Sequence, residues 1–319
     1  MKIKLYKYTP HIESFLNTPM LRATRTNDLN DPFELKPNQE LVESIVTNEA
    51  PSETALSWLG GSQGFADFKL SYNKGVVALS ECHDNLLMWS HYADEHRGGV
   101  IEFTFDLENK SHSRTLVQRG LFQELADNNY QYGLVRYRKN RSIDLSMISE
   151  RGYKLWEQIV DQLGFIKSKD WMYEEEHRFL VDMNYCNKTY VPDNEYSRGR
   201  MELFDVSVES VSVGGKNYIV VPPEHILRKA GKHKECEPHL EIFFHNGFAV
   251  RAEYLQFVDI NPDCITGLYL GAKMKDEQVE SILSDTARLA KFQNLKEDIY
   301  QAEIHSLNFD LEFKSLVVP

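Results

Sequence analysis

Ile3 and Leu5 alternate with Lys2 and Lys4, and this period of two predicts a strand over residues 2–8. Val76, Val77, Ala78 and Leu79 form a continuous apolar run, as in a strand buried on both faces, so 75–80 reads as a second strand. The same reasoning marks strands at 100–105, 134–138, 178–181 and 265–270, and a closing pair at 299–304 and 307–316. Helical spacing takes over elsewhere. Ile148, Tyr153, Leu155, Trp156, Ile159, Val160 and Leu163 recur every three to four positions within 143–163, and Val279, Ile282, Leu283 and Leu289 do so within 276–292, where Asp276 suits an N-cap. Residues 40–49 and 52–58 read as helices, 86–93 as one or two helical turns ended by Gly98-Gly99, and 11–16 as a short mixed stretch. Asn27 to Pro32 is a turn cluster, because Asn and Asp bond their own backbone and Pro fixes φ. Gly60-Gly61-Ser62-Gln63-Gly64 reads as a loop that lacks the Gly-Lys-Ser/Thr ending of a phosphate cradle.

These elements predict an α+β fold with a mixed central β-sheet flanked by helices. The chain is expected to form a single domain over residues 1–319, with an irregular insertion at about 187–262 where no clean period survives. Strands at 2–8, 76–80, 100–105 and 178–181 are expected in one sheet with the C-terminal strands close by, since the most distinctive strings lie at both ends of the chain.

Composition narrows the function classes. With 42% hydrophobic residues the chain is not of the disordered kind. The 36 Lys+Arg against 48 Asp+Glu leave a net charge of −12, which opposes non-specific binding to nucleic acid. No apolar run approaches the ~20 residues of a membrane span, and the charged first residues lack the apolar core of a signal peptide. Cys82, Cys186, Cys236 and Cys264 are widely spaced without a C-x-x-C pair, which points to reduced, non-catalytic thiols and a cytoplasmic setting.

Candidate chemistry concentrates in two runs. Residues 80–99 hold His83, His91, His96, Trp89, Tyr92 and several acids between two apolar strands, the position where strand ends open into clefts. In residues 167–178, an extended backbone places Glu174 and Glu176 on one face, where paired carboxylates hold ribose hydroxyls or stabilise an oxocarbenium-like centre. The plainer readings are core packing for Trp89 and Tyr92, and a solvated charge run for 167–178. His233-x-x-Cys236-x-x-His239 has metal-ligand types at spacings that zinc sites do not use. The one basic run, Arg136 to Arg141, offers phosphate contacts to single-stranded nucleic acid, with Tyr132 and Tyr137 for stacking; a solvated surface is the stronger reading.

Leu5-Tyr6-Lys7-Tyr8, Asn30-Asp31-Pro32-Phe33-Glu34, Leu87-Met88-Trp89-Ser90-His91-Tyr92-Ala93-Asp94, Trp171-x-Tyr173-Glu174-x-Glu176-x-Arg178 and Tyr269-Leu270-Gly271 occur in this order. In that order the chain resembles the bacterial domain-of-unknown-function family 2971 from Leu5 to about Leu316, with His177 where the family usually has Trp. A weaker similarity is to ADP-ribosyltransferase-like folds: Lys7 or Tyr8, then Ser80 with His91-Tyr92, then Glu174-x-Glu176 follow that order. The resemblance implies an NAD- or nucleotide-using enzyme, an ADP-ribosyltransferase or NAD glycohydrolase, acting in phage defence or as a toxin, with NAD as substrate. It gives catalytic roles to His91, Glu174 and Glu176, and substrate-binding roles to Lys7, Tyr8, Trp89, Tyr92, Arg97 and Arg178, with Tyr8 and Arg97 at the rim of the cleft. Two other classes remain open at the level of sequence: a non-catalytic ligand-binding or sensor module, and a metal-dependent nuclease or hydrolase using His91, Asp94, Glu174 and Glu176. The expected partner is a small nucleotide, with no membrane.

Overall fold

The computed structural model describes residues 2–49, 51–71, 74–109, 116–119, 121–122, 130–144, 153–203, 207–222, 253–285, 289–295 and 298–316. The chain opens with β1 (Lys2–Thr9), α1 (Ile12–Asn17) and β2 (Met20–Arg25). Helices α2 (Gln39–Glu49), α3 (Glu53–Trp58) and α4 (Gly61–Ser71) lead to β3 (Lys74–Ser80) and α5 (Leu86–Tyr92). Strands β4 (Gly99–Asn109), β5 (Leu116–Arg119), β6 (Tyr130–Leu134) and β7 (Arg136–Arg138) precede α6 (Tyr153–Leu163), β8 (Ile166–Ser168) and β9 (Glu176–Asp182). Then come β10 (Lys188–Pro192), α7 (Glu195–Leu203), β11 (Glu209–Val213), β12 (Lys216–Val221) and β13 (Leu255–Asp259). The last elements are β14 (Ile265–Leu270), α8 (Asp276–Ser284), β15 (Ile299–Ile304) and β16 (Leu311–Ser315).

The described strands build one large mixed sheet in the order β11-β12-β10-β13-β2-β3-β1-β4-β14-β15-β16, with β9 and β6 branching from β3 and β5 from β4. Only β14 and β15 pair in parallel within it. The expected sheet is therefore present: β1, β3, β4 and β9 share it, and β14, β15 and β16 continue it from β4.

Side-chain alternation gives the sheet two apolar faces. Val77 and Phe179 pack with Leu5, Phe103 and the α1 residues Ile12, Phe15 and Leu16. Their neighbours Val76 and Leu180 point the other way, onto Ile45 of α2, Leu70 of α4 and Ile159 and Leu163 of α6. Among the described residues no helix is long and apolar enough to cross a membrane.

The topology places one feature that matters for the site. One edge of β3 is paired with β9 along its whole length, from Lys74 opposite Asp182 to Ser80 opposite Glu176. Its other edge meets β2 only at Gly75 and Val76, and β1 only at Ser80. Between those contacts β1 and β2 diverge, and the edge of β3 at residues 77–79 is left to other partners.

Some sequence expectations are corrected. Gly61 to Gly64 are helical, not a loop: Gly60 and Gly61, at φ 81° and 91°, form the turn between α3 and α4. A Cβ on Gly64 would lie 1.7 Å from the Leu59 carbonyl oxygen, so glycine there permits the close approach of the two helices. Val135 divides the strand expected at 134–138 into β6 and β7, its N–H donating to the Glu176 carbonyl. Lys275, not Asp276, occupies the N-cap of α8, and Asp276 sits in the first turn, where its charge favours the helix dipole. The described part of 187–262 is regular: β10, β11 and β12 form an antiparallel set, and β13 joins that set to β2. His233, Cys236 and His239 lie outside the described residues, as do residues 145–152 of the expected long helix.

Candidate functional site

The divergence of β1 and β2 from β3 opens a cavity of about 290 Å³. Tyr6, Lys7 and Tyr8 of β1, Arg22 and Thr24 of β2, and residues 78–80 of β3 form its walls. Lys7 Nζ donates to the Ala78 carbonyl at 2.9 Å, so a side chain satisfies a backbone group that no strand reaches. Burial lowers the Lys7 pKa below the ordinary lysine value; Glu176 and Glu174 oppose this shift, and Lys167 and Arg22 add to it.

At the far wall lies a cluster of buried charges: Glu34, Lys167, Glu174, Glu176 and Arg178. Lys167 on β8 donates to Glu174 Oε2 at 2.5 Å and to Glu176 Oε2 at 3.3 Å, and lies 3.7 Å from Glu34. Arg178 grips Glu176 with two parallel bonds, Nε to Oε1 at 2.6 Å and Nη2 to Oε2 at 2.9 Å. It also pairs with Glu34 and donates to the Gly164 carbonyl. Tyr92 donates to Glu174 Oε1 at 2.6 Å and accepts from Asn30 Nδ2 at 2.6 Å.

Local backbone explains how two carboxylates two residues apart reach one lysine. Residues 169–174 form a 3₁₀ turn whose start Ser168 caps by accepting from Asp170 N–H. Glu175 then adopts a left-handed conformation, φ 44°, before β9 begins at Glu176. The backbone is thus not extended over 174–176 as the sequence suggests, yet the reversal still brings Glu174 and Glu176 together. Tyr137 Oη accepts from Glu176 N–H at 2.8 Å and so holds the start of β9. Glu34 enters from the Asn30 to Leu35 turn, where Asp31 accepts from Phe33 N–H and Leu35 is left-handed.

Three carboxylates here meet two cations, so the cluster has reason to keep a proton. Burial, with Glu174 close by, pushes the Glu176 carboxyl up to about 8 against the pull of Lys167. Burial likewise lowers Arg178 to about 9. It works against the Lys167 ammonium as well, but Glu176 and Glu174 more than offset it, and its pKa stands above the ordinary lysine value. Burial and the Glu174 charge raise Tyr92, which keeps its hydroxyl a donor.

Six of the predicted residues meet at this cavity: Lys7, Tyr8, Tyr92, Glu174, Glu176 and Arg178. Three do not line it. Trp89 is fully buried, its Nε1 donating to the His83 carbonyl at 2.7 Å and its ring edge-on to Tyr8, so it supports the wall from behind. His91 is exposed on the outer side of α5, near the rings of Tyr92 and Tyr173. Arg97 is tied to Asp94 and Glu95 in an exposed turn.

Sequence reasoning gave no site role to Lys167, Glu34, Asn30, Arg22 and Asp28, of which the last two form an ion pair at the cavity. The available signals were the place of Lys167 at the head of the 167–178 run and that of Asn30 and Glu34 in a string that carries the resemblance. Tyr132 and Tyr137, the residues that could have stacked bases beside the basic run, face inward to His177 and to the Glu176 N–H. Cys82, Cys186 and Cys264 are free thiols, and burial raises the pKa of each. Among the described residues no three His, Cys, Asp or Glu side chains are placed to hold a metal ion.

Residues 88–179 match the model of a protein family of unknown function, DUF2971. The DUF2971 match runs from α5 to β9 and so contains Tyr92, Lys167, Glu174, Glu176 and Arg178. The strings at residues 5–8, 30–34 and 269–271 lie outside it. No curated protein and no solved structure matches the chain.

Proposed function

We propose that this cavity is the active site of an NAD- or nucleotide-using enzyme of ADP-ribosyltransferase type, with Glu174 as the central carboxylate. The observation that carries the reading is the meeting of Lys7 and Tyr8, Ser80 and Tyr92, and Glu174 and Glu176 around one cavity, in the chain order that the resemblance implies. At about 290 Å³ the space sits at the small end of ligand sites, about 300–1,000 Å³. That size suits the reacting nicotinamide–ribose end of the molecule.

Glu176 has both oxygens engaged by Arg178 and Lys167, which makes it the positioning carboxylate. Glu174 is bonded by Tyr92 and Lys167 but by no arginine, and is the carboxylate assigned to face the ribosyl ring. In the reaction the glycosidic bond from C1′ to nicotinamide nitrogen breaks, and nicotinamide leaves as a neutral molecule with the bonding pair. Positive charge then grows on the ribosyl ring, where a fixed carboxylate in a low-dielectric pocket stabilises it. Water or another nucleophile forms the new bond to C1′ and gives up its proton to a carboxylate of the cluster.

The test is incubation of the full chain with NAD and measurement of free nicotinamide. Release by the wild-type protein and a loss of about 10²–10³-fold in Glu174→Gln support the proposal. NAD bound without release would favour the second reading, a ligand-binding module, for which the full occupation of Glu176 by Arg178 and Lys167 already speaks.

A further inference from the structure

A second cavity of about 290 Å³ lies against the first, sharing Glu34 and Lys167 as a common wall. Its other side is cationic, formed by Arg138, Lys139 and Arg141 with Asn140 between them. We infer that it is a binding site for the phosphate groups of a small ligand of nucleotide class.

The charge balance carries the argument. Arg138 and Lys139 are exposed, and their side chains have no hydrogen-bond or ion-pair partner among the described residues. Arg141 is positioned in advance, its guanidinium over the Phe33 ring at 5.3 Å and bonded to the Lys36 carbonyl at 3.4 Å. Two buried acids also line the cavity: Glu34 pairs with Arg178, and Asp31, which accepts from Phe33 N–H, acts on the Arg178 charge behind the wall. Arg138 and Lys139 thus face the cavity without an ion-pair partner of their own among the described residues, and with Arg141 they can give a phosphate or diphosphate several charge-assisted bonds at once.

The site suits a small phosphate ligand better than a nucleic-acid strand. The chain carries a net charge of −12, a field that opposes a polyanion along the surface but acts weakly within a local cationic pocket. A strand would also need several bases to stack in succession; Tyr132 and Tyr137 are turned inward to His177 and the Glu176 N–H, and the exposed Phe33 ring, the one aromatic side chain among the residues that line the cavity, lies under the Arg141 guanidinium.

The inference does not depend on the reaction proposed for the first cavity, and its readout is binding alone. Titration calorimetry of the full chain with inorganic pyrophosphate is the direct test, with ADP and a 5′-phosphorylated oligonucleotide as competitors. Arg138→Gln with Lys139→Gln is expected to weaken pyrophosphate binding about ten-fold or more. Arg97→Gln removes a positive charge from a remote exposed turn and is expected to leave binding within about two-fold of wild type. Competition by ADP, with the double variant still folded by circular dichroism, supports the site. It is overturned if wild-type protein does not bind pyrophosphate, if the double variant binds as tightly as wild type, or if the oligonucleotide binds while pyrophosphate fails to displace it.

Discussion

Arg97 and Arg178 each follow a carboxylate two residues earlier in the chain, Glu95 and Glu176, and each is bonded to it. The Arg97 side chain keeps 45% of its exposure, whereas that of Arg178 keeps 1%. At Arg97, water competes for both partners, and the hydrogen bonds it donates to Asp94 and Glu95 merely raise an already high pKa. At Arg178, burial dominates and pulls the guanidinium down to about 9. Removing two such ions from water costs several kcal/mol each, so the pair persists only where both oxygens of the acid and several donors of the base are satisfied. The same short motif is therefore a solvated turn in one place and the wall of a cavity in the other.

Making the same substitution at both arginines puts the contrast at most risk. Arg178→Met leaves Glu34 and Glu176 buried without their main cation and is expected to cost about 3–5 kcal/mol in urea unfolding. If it unfolds at the wild-type urea concentration, the buried network contributes nothing and the contrast fails.

A second expectation concerns pH. The folded Glu176 carboxyl, near 8, lies above its ordinary value of 4.5, so the folded chain holds a proton that the unfolded chain releases first. The stability tied to that proton is complete below about pH 4.5 and is lost as pH rises through about 8. Melting temperatures from pH 5 to 9 should fall more steeply for wild type than for Glu176→Gln; parallel curves would remove the proton from the cluster.

The exposed turn has its own signature, which is backbone strain. Asp94, Glu95 and His96 are left-handed in succession, at φ 48°, 51° and 71°. Glu95→Gly is expected to stabilise the fold by about 1 kcal/mol, since glycine escapes the roughly 1–2 kcal/mol left-handed penalty. A loss of stability would mean that the Glu95 side chain matters more than its backbone. The smallest effect belongs to Arg97→Met, for which no measurable shift in melting temperature is expected; a clear drop would give this exposed pair a structural role.

Much of the architecture was legible because secondary structure follows local periods. Alternation in residues 2–8 and the apolar runs at 75–80, 100–105 and 178–181 mark strands that the sheet contains. Half of the site was legible for a related reason: Lys7, Tyr8, Tyr92, Glu174, Glu176 and Arg178 sit beside those strands, where polar groups are held at strand ends. Trp89 and His91 share α5 with Tyr92 but leave the cavity, since one short helix can present only part of its surface to it, and Arg97 lies beyond the helix in the exposed turn.

The set of elements and the residue types able to do chemistry are local properties of the chain, because both depend on side chains within a few positions of one another. Which charges lose their water depends on contacts between segments far apart in the chain. Lys167 and Glu34 become functional candidates only because β8 and the 30–35 turn are folded against the start of β9. The cavity exists only because β1 and β2 part from β3. Pairing between strands distant in the chain sets both, and burial of a charge follows from that pairing rather than from any local pattern of residues.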